Sequence, residues 1–269
     1  MRDEKNWDKT ENIKNETVDS ERSFIPHPSA LIPASIFASL PWLVAGITPK
    51  DACAPAEPRP SFASRISALA GLPDFPFVHG CQPHGNAIAF VEKASLPEDC
   101  RVHAIDGVDA LITPDAGVVL GSFTADCVPI ALVDPVTRLL AVVHAGRVGT
   151  RLEITRLVVE AMQAHGATPQ NLLAWIAPSV CADCYQVSAE IAEDFRAHFE
   201  AHTHAIGGSG GRHLDLSEIN RCELVKCGLL PQNIEVDTRC TVEHPDLFHS
   251  YRRNGEHAGR MATVLARIA

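Results

Sequence analysis

The strongest constraint on the fold is the order in which short apolar runs and helical stretches follow one another along the chain. Short apolar runs predict strands at residues 40–45, 87–91, 139–143, 172–176 and 234–236, with two more inside residues 118–133. Helical spacing covers residues 61–72, 150–165, 187–199 and 216–227, and a last regular element covers residues 260–268. Because strands and helices interleave without the regular spacing of βαβ units, the pattern favours an α+β domain with mixed β-sheets.

Two of the predicted helices carry signals for their first turn. Thr150 and Glu153 form a Thr-x-x-Glu pattern, which predicts a capping box and a helix that begins at residue 150. Ser217 lies near the start of the helix at residues 216–227 and is a candidate N-cap residue.

The first part of the chain differs in composition from the rest. Residues 1–22 hold seven acidic and five basic residues and few apolar ones, and such a segment cannot bury a core. We therefore predict a flexible tail over residues 1–23 and a single folded domain over residues 24–269. No internal repeat divides that domain, and no pattern in the sequence fixes an oligomeric state.

Charge and hydropathy argue against several classes of protein. The formal net charge is −10, which argues against a broad basic face for nucleic acid. No apolar run reaches the roughly 18 residues of a membrane span, and the first residues lack the apolar core of a secretory signal. Nine cysteines, an odd number, argue against a disulfide framework and favour reduced thiols in a cytoplasmic protein.

Three segments place a side chain that can bind a metal beside a glycine or an acid near a predicted strand. These segments are QPHGN (82–86), TADC (124–127) and HAGRVGT (144–150). His84, Cys127 and His144 offer two imidazoles and a thiolate, a donor set that suits zinc. Three protein ligands leave a fourth position open, as in catalytic rather than structural zinc sites. The sequence therefore predicts a mononuclear zinc-type site at these residues.

Spacing alone does not establish this site, because most histidines and cysteines in proteins are packed or exposed residues rather than ligands. A thiol hydrolase with Cys127 as nucleophile and His144 as base is an alternative that needs no metal. Cys181 and Cys184 form a C-x-x-C pair, which is typical of a redox site or of half a structural zinc site. No second C-x-x-C follows, and two reduced thiols in a loop are the simpler interpretation.

Arginines beside turn residues are candidates for binding an anion. Residues 144–150 join a predicted strand to a predicted helix, where free backbone N–H groups together with Arg147 and Arg151 favour a phosphate. Tyr251 and Arg252 lie in another such segment, where a ring and a guanidinium can stack on a planar ligand or bind an anion. Solvated surface turns are the alternative at both places.

Taken together, these motifs resemble those of the laccase-domain family, also described as multicopper polyphenol oxidases and as purine nucleoside phosphorylases. The resemblance runs in order from about residue 41 to the C-terminus. It is carried by QPHGN (82–86), TADCVP (124–129), VHAG (143–146), CYQV (184–187), CT (240–241), SYRR (250–253) and GRM (259–261). Several motifs in the same order make the resemblance specific.

The resemblance implies a layered α/β/β/α sandwich with mixed β-sheets in a single domain. It also implies zinc at His84, Cys127 and His144, the same triplet that the donor chemistry favours. The implied activity is phosphorolysis of adenosine, inosine and S-methyl-5′-thioadenosine, with adenosine deamination as a second activity. We therefore expect a purine nucleoside and phosphate as the partners, zinc as the cofactor, and neither a nucleic acid nor a membrane.

Further site residues follow from their places in or beside these motifs. The residues expected to take part in catalysis are Asp126, Arg147 and Cys184. The residues expected to bind substrate are Lys50, Asn86, Tyr251 and Arg252. Asp126 and Asn86 are also close enough in sequence to the metal ligands to hold them in place.

The chain departs from the family pattern at three places. Arg147 and Val148 stand where the family has a tryptophan followed by an arginine, and Glu243 stands where it has a second cysteine. Lys50 stands where the family has an arginine, and lysine does not replace arginine at a bidentate phosphate site. We therefore expect the metal ligands to be kept and the phosphate and substrate contacts to be altered.

Two other functions are compatible with the sequence. A copper-dependent polyphenol oxidase is the older description of the family, and copper can displace zinc in vitro. A multicopper oxidase needs many histidines in paired motifs, however, and His-x-His occurs once here, at His202 and His204. A non-catalytic binding protein is the second alternative, because Arg147 and Val148 replace the family's tryptophan and arginine.

Overall fold

The computed structural model describes residues 31–98 and 100–268, so the predicted tail of residues 1–23 lies outside the described residues. The strands are β1 (Ile32–Pro33), β2 (Leu43–Ile47), β3 (Phe77–Gly80), β4 (Ile88–Phe90), β5 (Val102–Ile105), β6 (Ala110–Thr113), β7 (Val119–Thr124), β8 (Val128–Val133), β9 (Leu140–Ala145), β10 (Leu173–Ile176), β11 (Ile206–Gly207), β12 (His213–Leu214), β13 (Ile234–Val236) and β14 (Met261–Arg267). The α-helices are α1 (Arg59–Leu69), α2 (Arg147–Arg151), α3 (Ile154–Ala164), α4 (Ala189–His198), α5 (Leu216–Lys226) and α6 (Tyr251–Asn254).

The strands of this region form two six-stranded sheets and one small hairpin. The first sheet has the order β1-β2-β14-β7-β3-β5, the second has the order β13-β10-β8-β9-β6-β4, and β11 pairs with β12. In the first sheet β3 is parallel to β5 and β7, whereas β14 is antiparallel to β2 and β7. In the second sheet β10 is parallel to β13 and antiparallel to β8. The mixed sheets predicted from the sequence are thus confirmed.

Alternating side chains along the strands assign each face of the sheets to a layer. In β8, Val128, Ile130 and Leu132 join the apolar cluster that contains residues of α3, α4 and α5. Ala131 and Val133 point the other way and join the cluster between the two sheets. Because successive side chains of a strand face opposite sides, β8 separates two cores.

The outer face of the first sheet packs against α1. Phe62 and Ile66 of this helix are fully buried there, and each contributes roughly 1.5–3 kcal/mol by leaving water. This burial holds α1 against the sheet. The order of layers is therefore α1, first sheet, second sheet and then α3 to α5, which confirms the expected α/β/β/α sandwich in a single domain.

Three segments cross from the first sheet to the second at the same end of the sandwich, and two of them carry predicted metal ligands. The chain leaves β7 of the first sheet at Thr124 and enters β8 of the second sheet at Val128. It likewise leaves β3 of the first sheet at Gly80 and enters β4 of the second at Ile88. His144 in β9 pairs with the residue after Val128 in the antiparallel β8–β9 ladder. The fold thus brings these two crossings and the end of β9 together.

The capping box predicted at Thr150 and Glu153 is wrong. The helix α2 already begins at Arg147, and Glu153 has a left-handed φ of 57° that separates α2 from α3. The Thr150 hydroxyl donates to the carbonyl oxygen of Ala145 and does not cap a helix. A left-handed residue cannot serve as the third residue of a helix, so the pattern was coincidental.

Other local predictions differ from the structure by a few residues, and some strands were not predicted. Asp215, not Ser217, caps α5, because the Asp215 carboxylate accepts the N–H of Glu218 at 2.9 Å. The strand predicted at 40–45 lies at Leu43–Ile47, and β3, β5 and β6 were not predicted. No helix in the described part of the chain is long and apolar enough to span a membrane.

Candidate active site and metal centre

A buried carboxylate holds the two histidines of the predicted metal site. Asp109, directly before β6, accepts a hydrogen bond at 2.8 Å from Nδ1 of His144, and both side chains are buried. The same carboxylate accepts the backbone N–H groups of His84 at 3.0 Å and Gly85 at 2.7 Å. Burial alone raises the pKa of Asp109, but the bonds from His144 and Gly85 outweigh it and lower that pKa. Asp109 therefore remains ionised and leaves Nε2 of His144 free to bind a metal.

The three predicted metal ligands converge. One nitrogen each from His84 and His144 and the sulfur of Cys127 all lie within 4.8 Å of one another. The two imidazole rings have their centroids 4.9 Å apart, at an angle of 70°. His84 lies in the crossing from β3 to β4, and Cys127 lies in the crossing from β7 to β8. The packing of the two sheets therefore brings the three ligands together.

Gly146 forms a wall of this cluster. A Cβ atom at this position would lie 3.1 Å from the sulfur of Cys127 and 3.1 Å from Cδ2 of His84. Such contacts are shorter than ordinary van der Waals distances, so a side chain would push against two ligands at once. Glycine at this position leaves room for the three donors to approach a common centre.

The thiol and the imidazole of the cluster favour each other's charged forms. Burial raises the pKa of Cys127, but His144 and His84 outweigh it and lower that pKa to about 6. Burial lowers the pKa of His144, but the Cys127 thiolate and Asp109 outweigh it and raise that pKa to about 9. A thiolate is the form of cysteine that binds metals. Two imidazoles and a ready thiolate fit zinc.

Asp126 fastens the loops around the site. It has a φ of 93°, and its buried carboxylate accepts hydrogen bonds from the hydroxyls of Thr241 at 2.6 Å and Ser250 at 3.1 Å. It also accepts the backbone N–H of Arg252 at 2.6 Å. The carboxylate thus connects the crossing from β7 to β8 with the segments that contain Thr241 and Ser250.

A pocket of about 550 Å³ opens beside the cluster. Its lining includes all three predicted metal ligands and four of the other predicted site residues, which are Asp126, Arg147, Tyr251 and Arg252. It also includes Arg59, Phe123, Thr124, Ala125, Val180, Tyr185, Leu216 and Arg260.

Four arginines without an ion-pair partner among the described residues line the pocket. Within residues 31–98 and 100–268, Arg59, Arg147, Arg252 and Arg260 form no ion pair with a carboxylate. Burial, and next to it the charge of Arg260, lower the pKa of Arg59. In a chain of net charge −10, this concentration of positive charge favours an anionic ligand.

Aromatic side chains line the other part of the pocket. The guanidinium of Arg252 lies over the ring of Tyr185, with its central carbon 5.4 Å from the ring centroid. Burial raises the pKa of the Tyr185 phenol although Arg147 opposes it, so the phenol stays protonated at neutral pH. Tyr251 is 52% exposed and offers a second ring.

Three predicted site residues lie outside this lining. The ammonium of Lys50 donates to the carbonyl oxygen of Pro245 at 2.6 Å. The amide of Asn86 donates to the carbonyl oxygen of Leu152 at 3.3 Å. Burial raises the pKa of the Cys184 thiol, which makes it a poor nucleophile.

The residues expected at the site did not include Asp109, Arg59, Tyr185 or Arg260. Tyr185 and Arg260 lie inside motifs that carry the resemblance, so those motifs were a usable signal. Asp109 and Arg59 gave no such signal, because each acts on residues that are distant in sequence.

Comparison with known proteins identifies the family. The family model described as multi-copper polyphenol oxidoreductase laccase matches residues 61–268. The chain belongs to this family. The resemblance inferred from the motifs is therefore confirmed.

Similar proteins extend this comparison beyond the multi-copper polyphenol oxidoreductase laccase model. Adenosine deaminase RL5 from an unknown prokaryotic organism is 40% identical over 192 residues, which cover 69% of this chain and 73% of the relative. A purine nucleoside phosphorylase from Deinococcus radiodurans is 33% identical over 211 residues, 78% of each chain. Among solved structures, YlmD from Geobacillus stearothermophilus matches with a TM-score of 0.80 at 28% identity, covering 90% of this chain and 98% of YlmD.

Proposed function

We propose that the protein is a zinc-dependent purine nucleoside phosphorylase that also deaminates adenosine. The observation that carries the proposal is the composition of one pocket. It joins two histidines and a cysteine to four arginines that have no carboxylate partner in the described part of the chain. The names of two relatives, a purine nucleoside phosphorylase and an adenosine deaminase, support the same pair of activities.

His84, Cys127 and His144 would hold the zinc. Their fit to the metal rests on the carboxylate of Asp109, which orients His144, and on Gly146, which leaves space beside the donors. When bound, zinc would supply Lewis acidity in the pocket. Asp109 keeps the His144 ring in one orientation and its Nε2 without a proton once a metal is present.

The four arginines would bind and orient phosphate. A guanidinium matches phosphate oxygens with two parallel N–H groups. An anion would also relieve the repulsion between Arg59 and Arg260 that contributes to the lowered pKa of Arg59. We assign this role to the pocket arginines rather than to Lys50, because Lys50 lies outside the pocket lining.

The protein's part in phosphorolysis is to bring phosphate and sugar together. A phosphate oxygen forms a bond to the anomeric carbon of the ribose, and the bond from that carbon to the purine nitrogen breaks, with its electron pair leaving on the base. Arginines that fix the phosphate reduce the entropic cost of this encounter. A proton carried by the phosphate passes to the departing base, and the products are ribose 1-phosphate and the free purine.

Tyr185 and Tyr251 would hold the purine. Aromatic rings stack on planar bases, and the Arg252 guanidinium over Tyr185 extends the flat surface. The phenol of Tyr185 keeps its proton at neutral pH because burial raises its pKa. It is therefore able to donate a hydrogen bond to a ring nitrogen as negative charge develops on the departing base.

Deamination of adenosine is the second activity that we propose. It exchanges the amino group on C6 for an oxygen from water and releases ammonia, so it needs no phosphate. The relative that is 40% identical carries the name of this activity.

A copper-dependent polyphenol oxidase has less support. The family description names several coppers, and such enzymes need several histidine-rich sites. Of the metal-competent groups among the described residues, one contains two histidines, and the others contain one or none.

The test is product analysis on one preparation. Purified protein receives adenosine with and without phosphate, and chromatography separates adenine, inosine and hypoxanthine. We expect adenine only when phosphate is present and inosine in both cases. A His84→Ala variant should lose both products, whereas a His257→Ala variant, which changes an exposed histidine outside the pocket lining, should keep both.

Other outcomes would contradict the proposal in distinct ways. Inosine without phosphate-dependent adenine would leave deamination alone. Oxidation of a phenol by a copper-loaded protein that releases no purine would favour the oxidase. Full activity in His84→Ala would remove the metal site from the mechanism.

A further inference from the structure

A second group of metal-competent side chains lies outside the site described above. The sulfur atoms of Cys181, Cys184 and Cys240 all lie within 4.8 Å of one another. Cys181 directly precedes a short 3-10 helix at Ala182–Cys184, and Cys184 is the last residue of that helix. Cys240 reaches them through a parallel bridge with Ser179, although it is 59 residues from Cys181.

The surroundings of these sulfurs suit a bound cation. The backbone N–H of Cys181 donates to the sulfur of Cys240 at 3.3 Å and holds that sulfur beside the C-x-x-C turn. An oxygen of the Glu243 carboxylate lies 3.9 Å from the sulfur of Cys184.

We propose that Cys181, Cys184 and Cys240 bind a second zinc ion, with the carboxylate of Glu243 as the fourth ligand. Three sulfurs and one oxygen complete a closed tetrahedral set, which is typical of structural zinc rather than of a catalytic site. The cation joins the C-x-x-C turn to the segment that begins at Cys240.

A rival group in the described residues is already occupied by an arginine. His204, Glu218 and Cys222 also lie within 4.8 Å of one another. The guanidinium of Arg221 binds both carboxylate oxygens of Glu218 at 2.7 Å and reaches the sulfur of Cys222 at 3.7 Å. A cation would have to displace this ion pair. No arginine or lysine contacts a sulfur of Cys181, Cys184 or Cys240 in the described part of the chain.

The proposed zinc supports the wall of the substrate pocket. The carbonyl oxygen of Cys184 accepts the Nε–H of Arg252 at 3.2 Å. The hydroxyl of Thr241, next to Cys240, donates to the carboxylate of Asp126. Arg252 and Asp126 both line the pocket. The second zinc thus acts as a positioning element for the pocket and takes no part in the chemical steps.

Zinc content and cobalt absorption test the proposal without any substrate, so its failure is distinct from a failure of the proposed function. The protein is purified with a thiol reductant and without chelator, then analysed for zinc and protein. We expect about two zinc ions per wild-type chain, and about one each in the Cys181→Ser/Cys240→Ser and His84→Ala variants. A Cys222→Ser variant is the matched control and should keep both ions.

Cobalt distinguishes the two sites by their thiolates. Zinc is exchanged for Co²⁺, and the absorption of the sulfur-to-cobalt charge-transfer band is measured per chain. Loss of three of four thiolate ligands in a Cys181→Ser/Cys184→Ser/Cys240→Ser variant should reduce this absorption to about one quarter. Circular dichroism checks that each variant is folded. The single variant Glu243→Gln is a milder change, and it should weaken zinc retention in the presence of a chelator.

Three results would overturn the proposal. The first is about one zinc ion per wild-type chain that disappears completely in His84→Ala. The second is unchanged zinc content in the folded Cys181→Ser/Cys240→Ser variant. The third is a disulfide among these cysteines, found by intact mass in protein that was kept under reductant.

Discussion

Replacing Asp109 by asparagine tests whether this carboxylate prepares the metal site. One oxygen of Asp109 accepts both Nδ1–H of His144 and the N–H of His84, and the other accepts the N–H of Gly85. Asparagine can keep the first oxygen, but its NH₂ group then faces the N–H of Gly85. The variant therefore loses a negative charge beside His144 and one hydrogen bond.

The expected effect is a loss of metal affinity. Removing a partner that orients a metal-bound histidine typically lowers metal affinity 10–100-fold, which corresponds to about 1.4–2.7 kcal/mol. The assay is competition between the protein and a coloured zinc chelator, from which the zinc Kd follows. The phosphorolysis rate at saturating zinc is measured on the same samples.

A matched control separates this effect from a general change in charge. Asp106 is an exposed aspartate near Asp109 in sequence, and its carboxylate accepts only the thiol of Cys81 among the hydrogen bonds of the described residues. An Asp106→Asn variant should keep the wild-type zinc Kd. A folded Asp109→Asn variant with the wild-type Kd would refute the role that we assign to Asp109.

Three further predictions concern the same pocket. Gly146→Ala should weaken zinc binding in the chelator assay, because the new methyl group would lie 3.1 Å from the sulfur of Cys127. The circular dichroism spectrum should be unchanged, and an unchanged zinc Kd would contradict the steric conflict that we infer. Arg147→Ala and Arg260→Ala should each raise the KM for phosphate about tenfold and leave phosphate-independent deamination unchanged, and equal KM values for variant and wild type would remove that arginine from the phosphate site. In zinc-free protein, Cys127 has a lowered pKa, so its thiolate stabilises the fold until the pH falls through about 6. His144 has a raised pKa, so its charged imidazole stabilises the fold until the pH rises through about 9. Urea unfolding should therefore show the largest loss of stability in Cys127→Ser between these two pH values, and a loss of the same size at every pH would contradict the ion pair.

The strands next to the metal site were the most predictable part of the fold. β7, β8 and β9 are buried along their whole length, so each appears in the sequence as an apolar run. The acid, cysteine and histidine that interrupt or end those runs were conspicuous for the same reason. The sequence alone therefore sufficed to name Cys127 and His144 as candidate ligands.

Segments with mixed composition were not predictable. β3, with the sequence FVHG, and β5, with the sequence VHAI, are four residues long and each contains a histidine. β3 pairs with β5 and with β7, both of which are distant from it in the chain, and local propensity does not report such pairing. Asp109 was missed for this reason, since it lies beside β6, another unpredicted strand.

The left-handed residue Glu153 shows a different limit. Its φ of 57° allows α2 to end and α3 to begin without a loop between them. Nothing in the Thr-x-x-Glu pattern distinguishes this kink from a helix start, because the same side chains suit both.

The charge of the pocket depends on closure of the whole sandwich. Net charge describes the chain as a whole, whereas a bound ion responds to charges within a Debye length of roughly 8–10 Å. Arg59 begins α1 on the outer side of the first sheet, Arg147 begins α2 after the second sheet, Arg252 lies in α6, and Arg260 precedes β14. Each of them, taken alone, resembles a solvated surface residue, and only the folded protein places all four around one cavity. A net charge of −10 is therefore compatible with a phosphate site, and local unfolding at the crossings between the sheets would abolish that site rather than weaken it.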